Sequence, residues 1–194
     1  MLLWKNSCFR FSFVSFRKYP IPIHEKGLET LQRVKICHRN LSLENILIRG
    51  DECHISSLSS CLRVPTSEDG NTVHKLEPQF TVGKDPRYVS PEVFRNDAFD
   101  GYAVDLWAAG VVLFFMLFGD TMMFSAPIPE DPMFQEVCVA GHLKAVVDKH
   151  QALVPDQAPV SDEAIDLLQS MLRADPVDRP TLAEVQGHPW ITSS

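Results

Sequence analysis

Hydrophobic residues recur at helical intervals ahead of a polar loop in the first quarter of the chain. Leu28, Leu31 and Val34 are three positions apart, and the loop begins at His38. Residues three or four apart lie on one face of an α-helix. The spacing therefore predicts a helix of two or three turns just before the loop.

The most apolar part of the chain predicts a central helix. From Ala103 to Phe118 the residues are apolar in every direction around a helix, and Gly119 is a natural C-terminal stop. The continuous apolar run Leu106–Phe118 has 13 residues, and a membrane span needs about 20. We expect a helix buried on all sides and no transmembrane segment.

Three further helices are predicted in the last third of the chain. Prolines make the stretch 125–133 irregular, and a moderately amphipathic helix is expected from about Phe134 to Lys149. Ser161 is a good N-cap for the next helix. Thr181 and Glu184 form a capping box for a last short one.

Strand signals are few. Two short β-prone runs, Ile46–Ile48 and Cys53–Ile55, flank the polar residues 49–52 and predict a small hairpin. The following stretch, Ser56–Ser90, has no sustained periodicity, and loops of this length are usually functional or mobile. The predicted fold class is mainly α with at most one small β-hairpin.

Size, charge and cysteine content limit the classes of partner and of location that the sequence favours. The 194 residues, 45% of them hydrophobic, are enough for one globular domain with a core. A net charge of −7 argues against nucleic acid, so we expect a protein partner. The five cysteines are scattered, odd in number and without a CxxC pair, and the seven histidines have no metal-ligand spacing. We therefore expect a reducing, cytoplasmic location and no metal held by Cys or His.

The first 20 residues differ from the rest. They contain four basic residues and no acidic one, which also fits a targeting segment. However, Phe9, Phe11 and Phe13 alternate with polar residues at the two-residue period of a strand. A targeting role is the less favoured alternative.

Four motifs occur in a familiar order. They are Ile36–Ile48 (ICHRNLSLENILI), Tyr88–Glu92 (YVSPE), Asp105–Gly110 (DLWAAG) and Arg173–Trp190 (RADPVDRPTLAEVQGHPW). The first resembles the HRDLxxEN catalytic loop of eukaryotic protein kinases, the second their APE motif and the third the start of their central helix. The chain is therefore identified as similar to the Ser/Thr protein kinases.

The resemblance implies a kinase-like C-terminal lobe over residues 27–192, with residues 1–26 outside it. The activation segment would span about residues 57–92. Only 37 residues precede His38, and they contain no GxGxxG. Because kinases place the glycine-rich strands and the ATP-binding lysine before this point, we expect the N-terminal lobe to be absent.

The family's scaffold residues are kept. By resemblance, Asp105 holds the backbone of the catalytic loop, and Glu92 pairs with Arg179 in the interior. His38, the first residue of the loop motif, is also assigned a structural role.

The residues that perform phosphoryl transfer in the family are altered. Asn40 stands at the position of the catalytic Asp, Ser42 at the position of a phosphate-binding Lys, and Ser57 at the DFG Asp that holds magnesium. Asn45 matches the second metal ligand and is the one that remains. An amide is not a base at neutral pH, and a hydroxyl is a weak magnesium ligand. We therefore expect neither ATP nor magnesium as a cofactor.

The activation segment offers a further possibility. In active kinases the arginine that Arg39 matches can meet a phosphorylated activation loop, and Thr66, Ser67, Thr72 and Thr81 lie in this segment. The favoured interpretation is that Arg39 braces the loop and the hydroxyls are merely polar. Lys84 replaces the usual Thr after Gly83, which weakens the case for Ser/Thr substrates.

Three functional hypotheses follow. The first is a non-catalytic pseudokinase that binds a protein over the surface that an N-terminal lobe would cover. The second is an ATP-dependent Ser/Thr protein kinase whose N-terminal lobe is missing or mis-assigned. The third is a gene fragment without a role.

Overall fold

A computed structural model describes residues 23–49, 52–68, 72–78, 85–119, 123–153 and 159–193. The fold is mainly α-helical, as predicted. In chain order the helices and strands are α1 (Ile23–Arg33), β1 (Ile36–Cys37), β2 (Ile46–Arg49), β3 (Glu52–Ile55), β4 (Leu62–Arg63), α2 (Pro91–Phe94), α3 (Gly101–Phe118), α4 (Pro132–Phe134), α5 (Leu143–Leu153), α6 (Asp162–Met171), α7 (Leu182–Gln186) and α8 (Pro189–Thr192). The N-terminal pattern at Phe9, Phe11 and Phe13, together with Thr81, Gly83 and Lys84, lies outside the described residues.

Helix α1 is the predicted first helix, and it packs against β3. Gly27 lies so close to Ile55 that a Cβ at this position would be 2.6 Å from its Cδ1 atom. Leu28 is buried in the main core, whereas Val34 follows the end of the helix and is half exposed. The predicted domain start at residue 27 falls inside α1.

The strands form two separate antiparallel pairs. Strands β2 and β3 make the predicted hairpin, with Ile46 opposite Ile55 and Arg49 opposite Glu52. Strands β1 and β4 form a second pair, with Cys37 opposite Leu62. This pair is not a hairpin, because residues 38–61 lie between the two strands, and the sequence did not predict it. Two-residue strands are too short to produce a detectable period in the sequence.

Helix α3 is the centre of the fold. Asp100 caps its N-terminus by accepting bonds from the amides of Tyr102 and Ala103, and Gly119 ends it with a φ of 69°. In length and apolar character α3 could cross a membrane, but 83% of it is buried inside the protein. It is therefore the core helix that the sequence predicted.

The predicted helix from Phe134 to Lys149 is interrupted. Helix α4 runs into a π-helical turn at Gln135–Val139, and α5 begins only at Leu143. Gly141, with a φ of 79°, separates the two parts. Because the Gln169 side chain bonds both Val137 O (2.9 Å) and Leu143 N (2.8 Å), it stabilises the break from another helix.

Helices α6 and α7 begin where the sequence predicted, whereas the short helix α8 that follows them was not predicted. Ser161 caps α6 by accepting from Ala164 N. Thr181 and Glu184 form the complete capping box of α7. Both helices contribute buried residues to the core around α3, among them Leu168 and Val185.

The β2–β3 hairpin leaves apolar side chains uncovered. Leu47 and Ile48, neighbours in β2, are 54% and 56% exposed, and Leu58, just after β3, is 59% exposed. Neighbouring residues of a strand point to opposite faces, so β2 is open on both. We call Leu47, Ile48 and Leu58 the hairpin surface.

Candidate functional site

The candidate site is the loop from His38 to Asn45, between β1 and β2. Asp105 in α3 holds its start. One carboxylate oxygen accepts from His38 N at 2.6 Å, and the other accepts from Arg39 N at 2.7 Å. Asp105 is buried in an apolar helix, where an unpaired carboxylate would cost several kcal/mol. The structure thus contains the contact that the resemblance implied for Asp105.

His38 ties the loop to the end of β3. Its Nε2 atom lies 2.9 Å from Ser56 O, and its Nδ1 accepts from Asn40 N at 3.3 Å. Because a carbonyl only accepts, the proton is on Nε2. The imidazole is fully buried, so it braces the loop and does not face a substrate.

Arg39 has a left-handed backbone, with a φ of 61°. Its guanidinium lies 5.4 Å from the centre of the Phe99 ring, and Phe99 forms an antiparallel bridge with Leu76 of the activation segment. Arg39 thus contacts a residue that is itself paired with the activation segment. Among its hydroxyl residues, Thr66 accepts a bond from Lys35 Nζ at 2.8 Å.

Asn40 is held in the loop by its backbone. Its carbonyl accepts from Asn45 Nδ2 at 2.8 Å, and its amide donates to His38. The Asn45 carbonyl in turn accepts from the amide of Ser56 at 2.9 Å. Asn45 therefore works here as a brace between the two sides of the loop.

The two serines of the predicted site each precede a short 3-10 turn. Ser42 precedes the 3-10 turn Leu43–Asn45 and has an extended backbone, without a capping bond from its side chain. Ser57 is exposed and left-handed, with a φ of 65° and a ψ of 58°, where it precedes the 3-10 turn Leu58–Ser60.

The side chains at the metal-binding positions are all neutral. Asn45 offers an amide, and Ser57 offers a hydroxyl. Magnesium prefers charged carboxylate and phosphate oxygens in near-octahedral geometry. This donor set does not fit a site for magnesium and nucleotide phosphate, and the Asn45 amide nitrogen is already used within the loop.

A buried ion pair fixes the end of the activation segment. Arg179, which precedes α7, donates from Nη1 and Nη2 to the two oxygens of Glu92 in α2, at 2.8 and 2.7 Å. The guanidinium also donates to Ala103 O and stacks over Trp107 at 5.0 Å. The pair implied by the resemblance is thus present, with both side chains buried.

Two residues were not identified from the sequence as buried polar groups, and the first of them is Asp131. Asp131 accepts bonds from the amide and hydroxyl of Ser125 and from the amides of Met133 and Phe134. Burial alone would raise the pKa of Asp131, but these bonds outweigh it and hold the pKa below its usual value. An Asp directly before Pro132 is a helix-start signal that could have found it.

The second missed residue is Ser90, which precedes α2. It is fully buried, and its hydroxyl makes no hydrogen bond to the part of the protein that the structure describes. It lines a cavity of about 20 Å³ together with Arg39 and Asn40. Sequence offers no signal for an unpaired buried hydroxyl.

The described cysteines are free thiols: Cys37, Cys53, Cys61 and Cys138. Burial, reinforced by the charge of Asp105, raises the pKa of Cys37 to about 12. This thiol is therefore protonated and unreactive at neutral pH.

Within the described ranges, no three His, Cys, Asp or Glu side chains form a group that could hold a metal ion.

Comparison with known proteins gives the family. A model of the protein kinase domain matches residues 17–191. Serine/threonine-protein kinase SRK2C of Arabidopsis thaliana is 34% identical over 167 residues, which cover 84% of this chain and 44% of that protein. Serine/threonine-protein kinase SAPK2 of Oryza sativa subsp. indica is 32% identical over 165 residues, with 84% and 44% covered.

A human relative is similar to the same extent. Serine/threonine-protein kinase DCLK3 of Homo sapiens is 32% identical over 169 residues, which cover 87% of this chain and 24% of that protein. The chain therefore spans less than half the length of these relatives. The predicted boundary between residues 26 and 27 lies inside the matched range and stays a prediction. Because the family model matches most of the sequence, the chain belongs to the protein kinase family.

Proposed function

We propose that this chain is a non-catalytic member of the protein kinase family that acts by binding another protein. The observation that supports this most strongly is the contrast between the residues that hold the loop and the residues at the catalytic and metal-binding positions. Asp105 and His38 hold the loop in place, whereas the side chains at positions 40, 42 and 57 are an amide and two hydroxyls.

Phosphoryl transfer needs groups that these side chains do not supply. The reaction requires a base that positions the incoming hydroxyl, and cations that neutralise the phosphates. Asn40 is not a base at neutral pH, and the loss of a general base alone lowers the rate by about 10²- to 10⁴-fold. Ser42 brings no positive charge to the phosphate. We therefore propose that the chain uses neither ATP nor magnesium.

The hairpin surface is the proposed binding site. Leu47, Ile48 and Leu58 are all more than half exposed. Apolar side chains exposed to water favour an interaction with another apolar surface. With a net charge of −7, a protein is a better partner than a nucleic acid, and we propose a cytoplasmic location.

The second candidate function is ATP-dependent Ser/Thr kinase activity in a longer protein. The similar proteins are named as serine/threonine-protein kinases, and each is more than twice the length of the region matched here. Coding sequence upstream of Met1 with a glycine-rich loop and an ATP-binding lysine would favour this candidate. Asn40, Ser42 and Ser57 would still differ from the catalytic pattern.

Calorimetric titration and a phosphate-transfer assay test the proposal on the unmodified chain. We expect no heat of MgATP binding at micromolar concentrations and no labelled phosphate on generic protein substrates. The matched variant, Asn40→Asp with Ser57→Asp, restores the two carboxylates and tests whether they alone are limiting. Micromolar MgATP binding or phosphate transfer by the unmodified chain would overturn the proposal.

A further inference from the structure

The edge of β2 that faces away from β3 has no neighbouring strand among the described residues. A two-stranded hairpin is at best marginally stable alone in water, and β2 pairs only with β3 among the described residues. Ser56 N donates to Asn45 O at 2.9 Å, so the pair Asn45–Ser56 is hydrogen-bonded in the ladder. Because bonded and non-bonded pairs alternate in an antiparallel ladder, the amide of Ile48 points away from β3.

Near the start of β2, helix α1 covers one face of the hairpin and leaves the other face open. Ile46 and Ile55 are opposite each other and lie on the side of α1, where Ile55 meets Gly27. Leu47 and His54, also opposite each other, lie on the other face and are both exposed. A strand added at the β2 edge with one apolar face would cover Leu47.

We propose that this strand is the chain's own segment Phe9–Phe13. Its sequence, FRFSF, alternates aromatic and polar residues at the period of a strand. Five residues also match the four-residue length of β2. In such a strand the three rings would share the face beside Leu47, and Arg10 and Ser12 would share the other face.

The chain has the length to reach this position. Helix α1 begins at Ile23, one turn before the Gly27 contact with the hairpin. Residues 14–22 connect it to the proposed strand, and nine extended residues span roughly 30 Å. Residues 1–16 also lie outside the match to the family model, so the family fold does not already assign this segment a place.

Charge supports an intramolecular contact. Residues 1–22 contain four of the 18 basic residues and none of the 25 acidic ones. The remaining chain therefore has 14 basic and 25 acidic residues, a net charge of −11. A segment of charge +4 is attracted to it.

The strand addition deepens the proposed function, since it rests on the hairpin surface being the interaction surface. A protein partner would compete with Phe9–Phe13 for the edge of β2. The contact does not depend on phosphate transfer, so its failure would leave the proposed loss of catalysis untouched.

Hydrogen exchange at one amide tests the proposal. In the ¹⁵N-labelled full chain we expect the Ile48 amide to exchange at least about tenfold more slowly than in the variant Phe9→Ser/Phe11→Ser/Phe13→Ser. The control Trp4→Ser/Phe16→Ser removes aromatic rings outside the alternating stretch and is expected to exchange like the parent. Equal exchange in the parent and the triple variant would overturn the proposal.

Dilution distinguishes the proposed intramolecular strand from a strand supplied by a second copy of the chain. If a second copy of the chain covers the β2 edge, Ile48 protection falls on dilution and sedimentation shows a dimer, which would also overturn the proposal. A photoreactive p-benzoylphenylalanine at position 11 keeps an aromatic ring and gives a second readout if the triple variant does not fold. We expect an intramolecular cross-link to residues 46–49, and a cross-link mapped elsewhere would contradict the proposal.

Discussion

Arg179 holds Glu92 through two hydrogen bonds, of 2.8 and 2.7 Å, although the residues are 87 positions apart in the chain. Removing one partner leaves the other charge buried and unpaired, which typically costs about 3 to 5 kcal/mol. We expect Arg179→Leu to lower the free energy of unfolding in urea by this amount. Arg95→Leu is the control because its pair with Asp97 is exposed, and it should change stability by less than about 1 kcal/mol.

The double variant Glu92→Leu/Arg179→Leu tests whether the cost comes from the orphaned charge. Replacing a buried ion pair by apolar residues is often nearly neutral. We therefore expect the double variant to be more stable than the two single effects predict, by at least about 1 kcal/mol. Strict additivity of the two single changes in free energy would contradict this explanation.

Asp131 should make stability depend on acidity. Its pKa in the folded protein lies below the ordinary value of 3.8, so the ionised form stabilises the fold above that value. The stabilisation is lost as the pH falls through the lower folded pKa. We expect Asp131→Asn to cost about 2 kcal/mol at pH 7 and progressively less below pH 4, by urea unfolding.

Glu130→Gln is the matched control, since Glu130 is the exposed neighbour of Asp131. Glu130→Gln should leave the free energy of unfolding nearly unchanged both at pH 7 and below pH 4. A cost of Asp131→Asn that is the same at pH 7 and at acid pH would show that shape, and not charge, explains the role of Asp131.

Ser90 offers a substitution that should not destabilise the protein. Its buried hydroxyl has no partner among the described residues, and burying an unpaired hydroxyl is unfavourable. We expect Ser90→Ala to unfold at the same urea concentration or a higher one, within about 1 kcal/mol. A larger loss of stability would indicate that water in the adjoining cavity bonds to the hydroxyl.

Asp105 and Asn40 should differ sharply in their effect on stability. Asp105→Asn replaces one of two acceptors with a donor that faces a backbone amide, and we expect a cost of about 3 kcal/mol. Asn40→Ala keeps every backbone bond of the loop and should cost less than about 1 kcal/mol. Thermal unfolding of both variants measures the difference, and equal costs would contradict the assignment of roles.

Local signals in the sequence were enough to predict much of the fold. Ser161, Thr181 with Glu184, and Gly119 each mark a helix end through bonds to residues a few positions away, so their effect is visible in a short window. The hairpin at β2 and β3 is also local. The motif order led to the family, and that in turn led to the contacts of Asp105 and Arg179.

What the sequence did not predict depends on distant partners. The pairing of β1 with β4 joins Ile36 to Arg63, and two residues cannot display a period. The break before α5 is stabilised by Gln169, 26 residues beyond the amide of Leu143. The unpaired hydroxyl of Ser90 results from the packing of several elements and has no pattern at all.

The bonds that shape the catalytic-loop segment use backbone atoms of residues 38–40. Asp105 binds two amides, and Asn45 binds the carbonyl of Asn40. Since every residue other than proline has the same amide and carbonyl, the identity of the side chain at position 40 is almost invisible to folding. In the proposed non-catalytic role, the side chain at position 40 is therefore free to change, because the shape of the loop does not depend on it.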